Sequence, residues 1–195
     1  MAGMDTGYSP RVDAALAMAA FAHRTQKRKG TEIPYIVHPV HVAMILMRHG
    51  FEEDVVIAGV LHDTVEDTDV SLDQIQDRFG AGVAGLVGAV SEAKTDDGGE
   101  RRPWRDRKND QIAHLERGDA RVAALKCADS LHNLRSTIAD LRVTGHALWT
   151  RFNAGPADWL WYYGGILRLA RARLGEHPIV DELAGVVEEL AALTA

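Results

Sequence analysis

The chain has one cysteine, Cys127, among its 195 residues, so no internal disulfide can form and a reducing compartment is the simpler setting. It lacks any stretch approaching the roughly 18–20 uninterrupted apolar residues that a membrane span needs. The apolar run at 14–22 follows Asp5 and Asp13 and has no lysine-rich start, which argues against a cleaved signal peptide. Together these absences predict a cytoplasmic protein with no membrane partner. Basic residues are not in excess: 22 Lys and Arg stand against 28 Asp and Glu, for a formal charge of −6. A protein that coats nucleic acid needs a basic face to neutralise phosphates, so that class is set aside. A small anionic substrate held by one local basic cluster is not. Neither a Walker loop nor a dinucleotide-binding glycine motif occurs, which removes ATP-binding and Rossmann readings. No internal repeat and no period-two alternation appears.

What is present is helical spacing on an ordinary globular composition, 46% apolar and 26% charged. Ser9-Pro10 reads as an N-cap followed by proline at the first helical position, with Leu16, Ala19, Ala20 and His23 on one face. His38-Pro39 opens a second helix that ends at Gly50. Residues 53–66 form a third, nearly all apolar from Val55 to Leu61 and therefore central. Ser71 and Gln74 make a capping-box pair that opens a fourth, which stops at Gly80. A weaker helix spans 83–93. Residues 95–102 form a loop with Asp96-Asp97-Gly98-Gly99 at its tip. Pro103 opens a further helix, 121–142 is long and strongly periodic, and two more lie around 156–174 and after Pro178. The expected fold is all-α, one compact domain over 1–195 with about eight to ten helices, core motifs in 21–136 and C-terminal helices in 145–195.

Three segments carry candidate chemistry. His38 sits at a helix start. In His62-Asp63-Thr64-Val65-Glu66-Asp67-Thr68, His62 and Glu66 are four apart, as are Asp63 and Asp67, so four polar groups leave adjoining faces of the most apolar helix. That placement is costly unless something pairs them, and a divalent cation is the natural partner. Asp129 and Asn133 repeat the four-residue spacing on an otherwise apolar face. Two imidazoles and two carboxylates balance a divalent charge and suit Mn²⁺, Fe²⁺ or Zn²⁺ better than Ca²⁺.

The ordered pattern His38, His62-Asp63, Asp129 resembles the HD-domain metal phosphohydrolases. Within them, Arg28-Lys29-Gly30 with Pro34-Tyr35 and His38-Pro39, the block His62 to Thr68, and Ala128-Asp129 with Leu131-His132-Asn133 resemble the RelA/SpoT hydrolase branch and its free-standing small alarmone hydrolases. The resemblance implies hydrolysis of the 3′-pyrophosphate of guanosine tetra- or pentaphosphate, the stringent-response alarmone ppGpp or pppGpp, with Mn²⁺ as the usual ion. It implies that His38, His62, Asp63 and Asp129 are the ligands and that Glu66 and Asp67 activate and orient the attacking water. Arg28, Lys29 and Asn133 would contact the nucleotide. A synthetase half would need a second domain, so a hydrolase alone is expected. Gly30 and Ser130 depart from the Ser and Arg frequent in the long enzymes and are expected to lie near the pocket, which leaves the base and its contacts open. Adenosine alarmones, NADPH or nucleoside monophosphates are the alternative substrates, and a silent alarmone-sensing module is a further alternative. The six intact metal and acidic groups weigh against that last one.

Other residues keep two readings. The basic cluster Arg101, Arg102, Arg105, Arg107 and Lys108 either binds a phosphate tail, with Arg105 and Lys108 as contacts, or is a solvated helix start. Tyr162, in the aromatic run 159–163, either caps the base or is core. His23 reads as a satisfied core histidine; His41, His49 and His114 as surface residues; Cys127 as core. His132 neighbours the site without a ligand role. Oligomeric state is not legible.

Overall fold

The structure, a computed structural model, describes residues 8–95 and 98–195. Asp96 and Asp97, at the expected loop tip, lie outside the described residues. Among those described, ten α-helices and one 3₁₀ segment run in the order α1 (Pro10–Ala22), α2 (Val37–Arg48), α3 (Glu53–Leu61), α4 (Thr64–Asp67), α5 (Leu72–Phe79), α6 (Ala81–Val90), α7 (Trp104–Leu115), α8 (Ala120–Thr144), the 3₁₀ segment Gly145–Arg151, α9 (Pro156–Leu174) and α10 (Pro178–Thr194). Only isolated β-bridges occur among them, Lys27 with Pro34 and Thr95 with Arg101. The all-α expectation holds. No helix of the described residues is long and apolar enough to cross a membrane.

The local signals act as their chemistry dictates. Ser9 accepts from the amide of Val12 and Pro10 fills the first position of α1. Ser71 and Gln74 exchange side chain-to-backbone bonds at the start of α5, which closes the capping box. Asp119 caps α8 by accepting from Arg121 and Val122.

The centre of the molecule is α3, packed against α1, α2, α6 and α8, with α8 in turn against α9 and α10. Ile57 and Leu61 of α3, Leu46 of α2 and Leu125, Leu131 and Leu134 of α8 are fully buried, each such side chain contributing about 1.5–3 kcal/mol by leaving water. Gly59 makes the α2–α3 contact possible: a Cβ there would meet Leu46 Cδ1 at 2.7 Å.

The expected third helix over 53–66 is two helices. The chain leaves the helix after Leu61 because nearby side chains take the carbonyls a continuing helix would use. His62 Nδ1 lies 2.9 Å from the carbonyl of Gly59, and Thr64 Oγ1 donates to that of Leu61 at 2.7 Å. The break swings His62 and Asp63 into one corner of the core instead of ranking them along a helix face.

Ser130, on α8, is fully buried and its hydroxyl has no hydrogen-bond partner among the described residues. Ser130→Ala is therefore expected to stabilise the protein by about 1 kcal/mol. For a chain of this length that raises the thermal midpoint by roughly 2–4 °C; differential scanning calorimetry checks it.

Candidate metal centre and active site

Three elements bring the four candidate ligand residues together. His38 comes from the first turn of α2, delivered by a loop that the Lys27–Pro34 bridge and the Arg28 amide-to-Ile33 carbonyl bond hold closed. His62 and Asp63 come from the break between α3 and α4, and Asp129 from the middle of α8. His38 Nε2 and His62 Nε2 are 3.2 Å apart. Asp63 Oδ2 lies 3.4 Å from the first and 3.2 Å from the second, and Asp129 Oδ1 lies 3.2 and 3.7 Å from them. Ligand bonds of about 2.0–2.2 Å to one ion place neighbouring donor atoms about 3–3.6 Å apart. His38, His62 and Asp129 at these separations could hold a single cation, and Asp63 Oδ2 lies beside both imidazoles.

The donor chemistry agrees. With Nδ1 of His62 directed at the Gly59 carbonyl, its proton belongs there and Nε2 carries a lone pair. That lone pair faces another imidazole nitrogen, an arrangement only a shared proton or cation relieves. Each carboxylate uses its oxygens in the same disciplined way. Asp63 Oδ2 accepts from Tyr35 Oη at 2.6 Å, while Asp129 accepts from Asn133 Nδ2 at 2.6 Å on Oδ1 and from Lys126 Nζ at 2.7 Å on Oδ2. Burial alone would push both carboxyls up. The His62 charge and the His38 hydrogen bond outweigh it for Asp63, and Lys126 with the two imidazoles does so for Asp129, holding both well below the usual carboxylate range. Burial likewise pulls His62 down, but Asp63 and Asp129 hold it well above its ordinary value.

A cavity of about 250 Å³ opens on these ligands, walled by Glu66, Glu92, Lys108, Gln111, Lys126 and the aromatic rings of Trp104, Trp159, Tyr162 and Tyr163. A second cavity of about 470 Å³, carrying Arg28, Lys29, His41, His132 and Phe152, shares the walls Tyr35, Asn133 and Trp159 with it. Asn133 is also the acceptor for Arg28, at 3.2 Å. The structure thus brings Arg28, Lys29, Asn133, Glu66, Lys108 and Tyr162 to the two chambers beside the ligands. Tyr162 is buried and donates to Gln111 at 2.6 Å.

Two sequence candidates sit elsewhere. Arg105 is paired with Asp158 at 2.9 Å and stacked on Trp161, outside both chambers, because that half-buried ring and the carboxylate hold it on the outer face of α7 and α9. Asp67 lines neither chamber: one oxygen pairs with Lys94 and the other accepts from Gln26 at 3.2 Å. The two departures from the long enzymes neighbour lining residues, Gly30 between Lys29 and Thr31 and Ser130 beside Asp129. Ser130 is in the core, and Gly30 occupies a turn at φ +73° where a Cβ would meet Arg151 Cδ at 3.0 Å. His23 is buried as expected but not satisfied; Nδ1 reaches Gln26 at 2.6 Å and Nε2 has no partner among the described residues. His49 is not a free surface group, since its side chain is 7% exposed and lies 3.1 Å from Glu182. Cys127 is core, with burial pushing its thiol up to about 12.

Several charged or polar groups at the site are not marked in the sequence. Lys126 is 7% exposed and grips Asp129; a lone cation among Ala123, Ala124, Leu125, Cys127 and Ala128 was the available signal. Lys94 pairs with Glu66 at 3.0 Å and with Asp67, and buried Glu92 pairs with Arg107 and Lys108. Nothing in the spacing marks either. His132 approaches His38, Nδ1 to Nδ1, at 2.7 Å, and burial with the neighbouring His38 and Arg28 pulls it down to about 3.

The family described as the HD domain matches residues 15–155. The chain belongs to that family. Among its HD-domain relatives, the guanosine-3′,5′-bis(diphosphate) 3′-pyrophosphohydrolase MESH1 of Drosophila melanogaster is 38% identical over 151 residues, covering 76% of this chain and 79% of that protein. The mouse protein of the same name, from Mus musculus, is 42% identical over 124 residues, covering 62% of this chain and 66% of its own length. A solved metazoan ortholog of SpoT, described as hydrolysing ppGpp and acting in starvation responses, superposes with a TM-score of 0.71 at 30% identity over 93% of this chain and 96% of that one. A Listeria monocytogenes crystal structure gives 0.68 at 38% identity, over 83% and 97%.

Proposed function

We propose that this HD-domain chain is a metal-dependent phosphohydrolase that removes pyrophosphate from the 3′ position of guanosine tetra- and pentaphosphate, leaving GDP or GTP, with Mn²⁺ as its ion. The observation that carries this reading is the pair of chambers: the four-ligand corner beside Glu66 opens into one, and that one shares Tyr35, Asn133 and Trp159 with a larger, basic chamber sized for a nucleoside. Relatives named for that reaction support the substrate.

A divalent ion held there supplies Lewis acidity, bringing the pKa of water from about 15.7 towards about 7 and drawing charge from phosphoryl oxygens. The chain's own groups do the rest. Glu66 takes the proton of the attacking water: burial and then the Asp63 charge raise its carboxyl above the ordinary value, so the carboxylate binds a proton more avidly, while the Glu92 amide holds one oxygen at 3.0 Å. Asp67, bonded to Lys94 and Gln26, positions the Lys94 ammonium that steadies Glu66. Lys108 and Lys126 place positive charge on the cavity wall where the pyrophosphate charge builds. Arg28, Lys29 and Asn133 hold the nucleotide, and Tyr162 closes the aromatic side.

Lys94 opposes the upward shift of Glu66. Since Glu66 must be ionised to accept a proton, activity falls as pH drops through its raised pKa. Lys94→Ala removes the opposing charge, raises that pKa further and is expected to move the acidic limb of the kcat/KM profile to higher pH. A limb that stays in place or moves down would show that Glu66 is not the titrating base.

The substrate is tested by incubating the purified protein with Mn²⁺ and, separately, guanosine and adenosine alarmones, NADPH and deoxynucleoside monophosphates, and resolving products by anion exchange. GDP with pyrophosphate is the expected outcome. Inorganic phosphate from another substrate, with alarmones intact, would move the function to a broader nucleotide phosphohydrolase.

A further inference from the structure

His132 is placed to do something no ligand can do for itself. It stands on α8 three residues after Asp129, and its Nδ1 lies 2.7 Å from Nδ1 of His38 on α2. Its ring is held from the far side by His41, stacked at 4.8 Å with planes 21° apart, and His41 in turn has Nδ1 3.1 Å from the Val37 carbonyl. The contact therefore ties the ring of one metal-ligand candidate to the helix that carries another.

We infer that His132 is the positioning residue for His38, fixing the tautomer in which Nε2 of His38 is free to bind the ion. A neutral imidazole that ligates through Nε2 carries its proton on Nδ1 and needs an acceptor there. The other three ligand side chains find their outer partners in Gly59, Tyr35, Lys126 and Asn133. For His38 the partner at Nδ1 among the described residues is His132, and it must accept at Nδ1, so its own proton sits on Nε2. The reverse tautomer, with His132 donating, would leave His38 protonated at Nε2 and facing the His62 nitrogen 3.2 Å away. In the working tautomer, the Nε2–H of His132 is the donor it offers to the larger chamber, which it lines. Metal and nucleotide then meet opposite ends of one hydrogen-bonded pair of rings, the ion at Nε2 of His38 and the nucleotide at Nε2 of His132.

This inference rests on the metal site proposed above, and the test separates the two. Metal-free protein is prepared by chelation and Mn²⁺ binding is followed by titration calorimetry, without substrate, for wild type, His132→Ala, His132→Asn and His132→Gln. Asn carries an acceptor oxygen at the branch position that Nδ1 occupies; Gln carries its oxygen one carbon further out. The expected result is a 10–100-fold weaker Mn²⁺ affinity for Ala and Gln, with Asn within about threefold of wild type. Circular dichroism of the metal-free forms checks folding, and if the Ala variant does not fold, the Asn–Gln comparison decides alone. Asn and Gln binding alike, or Ala binding as wild type does, overturns the inference. A wild-type protein that binds no Mn²⁺ overturns the metal site instead.

Discussion

Asp63→Ala is expected to lose metal and turnover together. Asp63 Oδ2 is 3.2 and 3.4 Å from the two imidazole nitrogens and, as a ligand, would supply one of the two negative charges that balance the ion. Replacing a group that merely orients a ligand typically costs 10–100-fold in metal affinity; removing the ligand itself costs more. The cleanest readout is not activity. An ion bound only by the folded state stabilises by about 2.7 kcal/mol at a hundred times its dissociation constant, which for a chain of this size is a rise of roughly 5–10 °C in thermal midpoint. Wild type is expected to show that rise with Mn²⁺, and Asp63→Ala to show none. An equal rise in both would remove Asp63 from the ligand set.

Glu66→Ala is expected to behave in the opposite way on metal and the same way on rate. Glu66 lines the chamber, yet its named partners are the Glu92 amide and Lys94 rather than the four-ligand corner. Its loss should leave the Mn²⁺-induced stabilisation intact while turnover falls by about 10²–10⁴-fold, the usual worth of a positioned acid or base. Full turnover in Glu66→Ala would mean that water is activated without it. The two variants together separate holding the ion from using it, because both lower turnover while only Asp63→Ala loses the Mn²⁺-induced stabilisation.

The sequence carried the ends of the helices better than their continuity. Ser9-Pro10, Ser71 with Gln74, Gly50 and Gly80 mark boundaries through bonds and dihedral angles that involve a few neighbouring residues, so spacing alone reveals them. The break after Leu61 was invisible because 53–66 is apolar and helical in pattern. What ends the helix is the capture of carbonyls by His62 and Thr64, a choice that becomes favourable when those side chains face a buried polar corner. The 3₁₀ segment Gly145–Arg151 has no apolar period to announce it.

The site divides along the same line. His38, His62, Asp63 and Asp129 stand out in sequence because ionisable groups inside apolar helices demand a partner. Lys94 and Glu92 do not, since they sit in a segment after α6 whose path is set by packing, and only the fold brings them to Glu66, Arg107 and Lys108. Arg105 shows the converse. Its charge density and position beside Lys108 were true signals of a basic surface, but one helical step turns it outward to Asp158 and Trp161, while Lys108 points into the chamber.

The most direct test of the central claim follows the products of guanosine tetraphosphate with chelator-treated protein, before and after Mn²⁺ is returned. The account predicts no hydrolysis without the ion and equal amounts of GDP and pyrophosphate once it is restored. Hydrolysis that persists unchanged in the metal-free protein, or a restored protein that leaves the alarmone intact, would contradict it.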